Sequence, residues 1–178
     1  ETLTTPPSAE LVEAISSQLD EPGWLRDARL AALKQYAALG WPSGQEETWR
    51  RTPLDGLQLE RWTLETASAL PEAAEGLIGN GRAGLLSHND EGTSVLARAA
   101  AQRGVIFSSL SQAAREHEEL VRTHLGSIVN SDLAAVGHAR LVALNAALWT
   151  QSLFCYLPRD VARDEPLYHL LSKASTTT

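Results

Sequence analysis

The sequence predicts an α+β fold that is mostly helical and contains small β pieces. Apolar residues recur at helical spacing over several long stretches, whereas the runs that favour strands are short. Of the 178 residues, 43% are hydrophobic and 21% are charged, which is typical of a globular chain that buries a core. The 22 acidic and 15 basic side chains leave a formal charge of −7, which disfavours nucleic-acid binding because phosphate contacts need an excess of lysine and arginine.

Two helices are expected near the start of the chain, after a Thr/Pro-rich arm at residues 1–7 that we expect to be poorly ordered. Ser8 is the expected N-cap of a first helix over residues 8–19. A second helix is expected over residues 22–39, followed by Gly40 in the left-handed conformation that often ends a helix. The short connection predicts an antiparallel helical hairpin. The first helix carries an apolar stripe: Leu11, Val12, Ile15 and Leu19.

A loop and a small hairpin are predicted next. Proline and glycine residues interrupt the helical period over residues 41–64, where residues 57–62 suggest a short extended piece. The Asn80-Gly81 dipeptide predicts a turn between two short strands within residues 77–86. The later helices are predicted over residues 93–103, from about 110 to 125, and over 133–149, and the later strands over 105–107 and 153–157. The helix from 110 to 125 is expected to begin at a cap, Ser109 or Ser111, and to end at Gly126.

The charge pattern and the single cysteine exclude several classes of protein. The longest charge-free run, residues 141–158, is shorter than the roughly 20 residues of a spanning helix and has polar residues in its middle. Cys155 alone forms no internal disulfide, fits a reducing compartment, and is expected to be a buried small hydrophobe in an apolar strand. Because the sequence contains no methionine, we expect a processed chain or a piece of a longer one.

Two short motifs suggest a cofactor or a metal, and their spacing argues against both. The Gly-x-Gly-x-x-Gly string at residues 79–84 lacks a long preceding strand, and Gly104 stands where a ribose-binding acid is needed. His117 and His124 are separated by roughly 10 Å along a helix, too far to share one ion without other ligands. We therefore expect no cofactor or metal in this segment, and interpret the acidic residues around His117 as a solvated helix face.

Aromatic residues in the loop mark a candidate interaction surface. The chain has five tryptophans, and Trp41 and Trp49 lie in the predicted loop beside Arg50. Two interpretations of Trp49 stay open. In one, the indole plugs the base of the helical hairpin while Arg50 pairs with Glu46 or Glu47; in the other, Trp49 contacts a partner.

Three segments share a pattern with a known family. The first is Leu39-Gly40-Trp41-Pro42 followed by Glu47-Thr48-Trp49-Arg50-Arg51-Thr52. The second is a strand and a helix over residues 104–126, ending in Leu-Gly. The third is Leu144-Asn145-Ala146-Ala147-Leu148-Trp149-Thr150 and then Phe154-x-Tyr156-x-Pro158. This order, over residues 24–171, resembles the SufB/SufD proteins of iron–sulfur cluster assembly, and the Trp-Arg loop favours the SufD type. The departures from the usual residues are Arg51, Ser152, Leu157 and Asp160.

The resemblance implies a non-enzymatic scaffold, the N-terminal part of a SufD-like subunit of a SufBCD complex. It implies an N-terminal domain over residues 8–126 and a segment over 127–178 that enters a right-handed β-helix core absent from this chain. It also implies a cytoplasmic complex with SufB-like and SufC-like ATPase subunits, bound through the missing C-terminal part, without nucleic acid or membrane insertion. The full complex handles an iron–sulfur cluster, but no catalytic, cofactor or metal residue is implied here. The alternative is a stand-alone helical protein-interaction module.

Overall fold

The computed structural model separates the chain into two units, which are described one at a time. The first unit is residues 1–64 with 114–150, and the second unit is residues 65–113 with 151–178. The structure describes these residues: 7–47, 49–52, 54, 82–87, 94–96, 98–129, 138–150, 152–162 and 164–170. Several predictions lie wholly or largely outside these ranges: the 1–7 arm, the 57–62 extended piece, the Asn80-Gly81 turn and the first part of the 133–149 helix.

The described elements confirm the predicted fold class, a mostly helical α+β chain with small β pieces. The helices are α1 (Ala9–Gln18), α2 (Gly23–Ala38), α3 (Arg98–Ala101), α4 (Leu110–Glu116), α5 (Glu118–His124) and α6 (Ala139–Leu148). The strands are β1 (Gly84–Ser87), β2 (Ser94–Leu96), β3 (Ile106–Ser108), β4 (Phe154–Tyr156) and β5 (Leu167–Leu170). These elements include no β-helix. In the described ranges, no helix combines the length and apolar character that a bilayer crossing requires.

Helix α1 begins and ends with local hydrogen bonds that its sequence encodes. Ser8 is the N-cap, as predicted, and its hydroxyl accepts the backbone N–H of Leu11 at 3.3 Å. At the other end, Glu21 donates its N–H to the carbonyl of Ser16 at 3.0 Å, and Asp20 donates to Ser17 at 3.2 Å. This pair of bonds is a Schellman motif, with Asp20 in the left-handed region at a φ of 49°. The motif reverses the chain and fixes the position of Glu21.

The end of helix α2 differs from the prediction for Gly40. Leu39 is already extended, with φ of −90° and ψ of 144°, and its N–H bonds the carbonyl of Gln35 at 3.1 Å. The described glycines with positive φ are Gly104 and Gly126. The left-handed prediction for Gly40 is therefore wrong, because the chain leaves the helix in an extended conformation and needs no left-handed reversal there.

The core of the first unit is formed by α1, α2 and α6. The apolar stripe predicted for α1 points into this core, where Val12 and Ile15 are fully buried. Burial of such a side chain contributes about 1.5–3 kcal/mol to folding. The buried cluster is Leu11, Val12, Ile15, Ala32, Ala147 and Leu148, with Leu19, Leu30, Leu33 and Leu144 packed against it.

Two arginines tie α2 to α6 at opposite ends. Arg29 of α2 donates from Nη1 to the carbonyl of Ala147 at 3.0 Å, near the end of α6. Arg140 of α6 donates from Nη1 to the carbonyl of Leu39, just after the end of α2. Because each arginine reaches the C-terminal end of the other helix, the two helices run antiparallel. Each cation also lies where the helix dipole favours positive charge.

Arg29 forms an enclosed polar contact in the first unit. Its guanidinium donates to both carboxylate oxygens of Glu21 at 2.7 Å and lies 3.7 Å from the centre of the Trp149 ring. The side chain of Arg29 is 1% exposed and that of Glu21 is 0% exposed. Both charges are therefore removed from water, and each depends on the other for compensation.

The second unit contains two small sheets. In the first sheet, β1 is central, antiparallel to β2 with Leu85 opposite Val95, and parallel to β5 with Leu85 opposite Tyr168. In the second sheet, β3 and β4 are antiparallel, with Phe107 opposite Cys155. The strands predicted at 105–107 and 153–157 are thus confirmed, whereas β5 was not predicted.

Two local predictions in the middle of the chain are wrong in part. Of the helix predicted over residues 93–103, Arg98–Ala101 is helical, but Ser94–Leu96 is strand β2, because this segment pairs with β1. β2 and β5 pair with the two edges of β1 (Gly84–Ser87), whereas the strand predicted at Leu77-Ile78 lies outside the described residues. The helix predicted to Leu125 is two helices, since His117 leaves helical geometry with φ of −137° and ψ of 44°.

The ends of this helical pair match the sequence better than its middle. The N–H of Gln112 donates to the hydroxyl of Ser109 at 3.2 Å, so Ser109 rather than Ser111 is the cap. Gly126 follows α5 with a φ of 72°, as expected of a glycine after a helix end. The acidic residues around His117 are exposed, in agreement with the predicted solvated face.

Candidate interaction surface

The loop after α2 is held by its own backbone and side chains. Glu46 accepts the N–H of Ser43 on its carboxylate at 2.8 Å, and Ser43 accepts the N–H of Gln45 on its hydroxyl at 3.1 Å. The carbonyl of Glu46 accepts the N–H groups of Trp49 and Arg50, both at 2.9 Å. These consecutive turns fix the positions from which the two loop residues project.

Arg50 has an acidic partner within the loop. Its Nη2 lies 3.0 Å from Oε1 of Glu47, and both side chains are more than half exposed. This contact is one of the two ion pairs that the sequence suggested for Arg50. An exposed pair of this kind contributes about 0.2–1 kcal/mol, so it orients the side chain more than it stabilises the fold.

Trp41 lies over the end of α2 and is 44% exposed. Its ring meets the ring of Tyr36 edge-on, with centroids 6.3 Å apart and planes at 86°. The guanidinium of Arg140 lies 4.5 Å from the centre of the Trp41 ring and 4.4 Å from that of Tyr36. Contacts of this geometry between a cation and aromatic rings are attractive by about 0.5–1 kcal/mol or more.

Trp49 reaches the start of α6. Its ring centre is 5.1 Å from that of His138, the residue before α6, with the planes tilted by 50°. The indole ring is partly buried, and its Nε1 is enclosed without a hydrogen-bond acceptor among the described residues. The interpretation of Trp49 as a plug or a partner contact stays a prediction.

The sequence indicated part of this surface and missed the rest. Trp41 and Trp49 were singled out, and the structure brings both to the first residues of α6. His138 and Arg140 were missed because they are about ninety residues further along the chain. A signal was present, since Arg140 is the last charged residue before the charge-free run 141–158. We call Trp41, Trp49, His138 and Arg140 the α6 surface.

The cysteine and the glycine string considered in the sequence analysis lie outside the α6 surface. Cys155 was expected to be buried and is exposed, because Phe154 and Tyr156 turn their partly buried side chains to the other face of β4. Partial burial nevertheless raises the pKa of its thiol, so the protonated form dominates at neutral pH. Gly84, the last glycine of the Gly-x-Gly-x-x-Gly string, lies in β1 rather than at a helix start. Within the described ranges, no three His, Cys, Asp or Glu side chains are grouped to hold a metal.

Comparisons with known proteins relate this chain to iron–sulfur cluster assembly proteins. Residues 86–168 match the model of the SufBD protein N-terminal region. The chain is 28% identical over 176 residues to the iron–sulfur cluster assembly protein SufD of Bacillus subtilis, covering 95% of this chain and 39% of that protein. It is 27% identical over 182 residues to an iron–sulfur cluster assembly SufBD family protein of Staphylococcus epidermidis, covering 88% and 36%. The chain thus spans less than two thirds of the length of these relatives.

Proposed function

Because the chain contains the N-terminal region of the SufBD family, we propose that it belongs to a SufD-like scaffold subunit for iron–sulfur cluster assembly. The observation that carries the proposal is the family match over residues 86–168. The similarity to SufD of Bacillus subtilis along 95% of this chain supports it. In this proposal, the chain has a structural role and catalyses no reaction.

The proposed partners follow from the family rather than from the geometry. We propose that the complete protein joins a SufB-like subunit and a SufC-like ATPase in the cytoplasm, through its C-terminal part. The iron–sulfur cluster is then cargo of the assembled complex. The present chain supplies the helical first unit, which carries the candidate interaction surface, and the small sheets of the second unit.

A chimera tests the proposal in a cell that depends on this assembly system. The aligned N-terminal region of the Bacillus subtilis SufD protein is replaced by this chain, and the chimera is expressed while native SufD is depleted. We expect the chimera to restore the activity of an iron–sulfur enzyme; its co-purification with the complex partners, which the retained C-terminal part binds, shows only that the chimera has assembled. A chimera carrying Arg26→Met serves as a matched control, because Arg26 is an exposed residue of α2.

The outcomes separate the scaffold from the alternative. A chimera that assembles with the partners yet does not restore the enzyme contradicts the proposal. That result favours the stand-alone helical interaction module. Restoration of activity by a Bacillus subtilis SufD protein from which the N-terminal region has been deleted also contradicts the proposal. In that case the N-terminal region makes no contribution to enzyme activity.

A further inference from the structure

We propose that the α6 surface binds an acidic peptide segment of a partner protein, with a partner carboxylate on Arg140 and an apolar neighbour against Trp41. This inference goes beyond the scaffold proposal and rests on the geometry of the first unit alone. The α6 surface contains a cation, an exposed aromatic ring and two enclosed N–H groups that have no acceptor among the described residues.

The three described arginines that lie over aromatic rings differ in one respect. Arg29 lies over Trp149 and pairs with Glu21. Arg122 lies over Trp24, at 5.0 Å, and its Nη1 pairs with Glu118 at 2.8 Å.

Arg140 lies over two rings and has no ion pair with any described carboxylate. Its side chain is partly buried, so its charge has lost part of its hydration without gaining a counterion. A carboxylate supplied from outside would complete the arrangement that the other two arginines already have.

Two hydrogen-bond donors of the α6 surface also lack acceptors among the described residues. One nitrogen of Arg140, Nη1, donates to the carbonyl of Leu39, whereas Nε has no acceptor among the residues that the structure describes. The Nε1 of Trp49 is enclosed without an acceptor in the same part of the structure. Buried donors without acceptors are unfavourable, and a nearby negative charge stabilises both N–H dipoles. Both nitrogens are enclosed, so a partner carboxylate would favour these groups through its negative charge rather than through a direct hydrogen bond to either.

The surrounding charges favour a peptide over a polyanion. Among the described residues of the adjoining loop, the charges of Glu46 and Glu47 offset those of the exposed Arg50 and Arg51, so the charge excess of this described part comes from Arg140. The whole chain carries a formal charge of −7, which repels an extended polyanion such as nucleic acid. One or two carboxylates fit this charge pattern. The half-exposed ring of Trp41 provides apolar area for the residue beside them.

Two labelled peptides test the inference on the 178-residue chain. One carries two aspartates, each beside a leucine, in an otherwise uncharged sequence, and the other carries asparagines at the same two positions, so that they differ in charge and little in shape. We expect the aspartate peptide to bind about tenfold to a hundredfold more tightly by fluorescence anisotropy, as a charge-assisted contact implies. The difference should shrink with added salt. Equal affinity for both peptides, or no binding of either, overturns the inference.

Two matched variants locate the site. Arg140→Gln should remove the preference for the aspartate peptide, whereas Arg122→Gln should retain it, because Arg122 already has Glu118. Far-UV circular dichroism checks that both variants are folded. Since Arg140 also holds Leu39, Trp41→Ala provides a second test and should weaken binding of both peptides. Equal loss in Arg140→Gln and Arg122→Gln, or displacement of the peptide by equimolar inorganic phosphate, contradicts a peptide site.

Discussion

Replacement of Arg29 by methionine should destabilise the first unit more than any other single change to a described ion pair. Methionine keeps much of the volume of arginine but removes three hydrogen bonds, two to Glu21 at 2.7 Å and one to Ala147 at 3.0 Å. It also leaves the Glu21 carboxylate, 0% exposed, without a counterion. The variant therefore tests whether the enclosed pair holds α2, α6 and the turn after α1 together.

The expected loss of unfolding free energy in Arg29→Met follows from the burial of the ion pair rather than from the number of its contacts. Removing one partner of a buried ion pair costs about 3–5 kcal/mol, because the other charge stays buried and unpaired. Replacing both partners by apolar residues of similar volume is often close to neutral. The double variant Glu21→Leu with Arg29→Met should therefore be more stable than Arg29→Met alone. It should still fall below the original protein, since the carbonyl of Ala147 loses its donor at a cost of about 1–3 kcal/mol.

Urea unfolding followed by tryptophan fluorescence measures these differences. Trp24, Trp41, Trp49 and Trp149 all belong to the first unit, so their emission reports its unfolding. Arg26→Met on the same helix is the control, because the Arg26–Asp27 pair is exposed and should matter by less than about 1 kcal/mol. If Arg29→Met and Arg26→Met shift the midpoint equally, or if the double variant is the least stable, the reasoning is wrong.

Three further changes should alter stability in a predictable direction. Asp20→Gly should stabilise the first unit by about 1 kcal/mol, because glycine adopts the left-handed φ of 49° without strain. Gly104→Ala should destabilise the second unit by about 1–2 kcal/mol, since its φ is 77° and the new Cβ would lie 3.3 Å from Cγ of Pro158. Burial lowers the pKa of His169 below 6.5, so the unfolded chain takes up the proton first and the second unit should lose stability as the pH falls through 6.5.

Thermal or urea unfolding measures the stability change in each case, and each prediction also has its own contradicting result. Gly126→Ala is the companion of Gly104→Ala, because its φ is 72° but nothing lies within 4 Å of the added Cβ. A larger loss at Gly126 than at Gly104 would contradict the role of Pro158. For His169, a nuclear magnetic resonance titration giving a pKa above 6.5 would reverse the sign of the pH effect. For Asp20, a decrease in stability would mean that its side chain matters more than its backbone.

Much of the first unit was predictable because its determinants are local. The N-cap at Ser8 and the apolar stripe of α1 are both written within a few neighbouring residues. The end of α2 was mispredicted, although Gly40 is present. A glycine permits the left-handed conformation but does not require it, and the extended Leu39 gives the chain another way out of the helix.

The sheets were less predictable because their determinants are distant in sequence. Leu167–Leu170 pairs in parallel with Gly84–Ser87, more than eighty residues earlier, and nothing local in either segment specifies that pairing. For the same reason, the local sequence of Ser94–Leu96 predicts a helix, whereas its strand conformation depends on pairing with β1. Cys155 shows a related error: an apolar strand sequence predicted burial, but burial of a side chain depends on what covers its face.

The two ends of the α2–α6 pair differ in whether their arginine has a carboxylate partner among the described residues, and sequence spacing did not reveal this difference. At one end, Arg29 binds the carbonyl of Ala147 and is neutralised by Glu21. At the other end, Arg140 binds the carbonyl of Leu39 with no described carboxylate beside it, under the half-exposed ring of Trp41. A uniformly structural role would favour compensation at both ends, because an unpaired, partly buried cation costs stability. The Arg29–Glu21 pair therefore stabilises the fold, whereas Arg140 is the cation with which the carboxylate of a partner would form a stabilising ion pair.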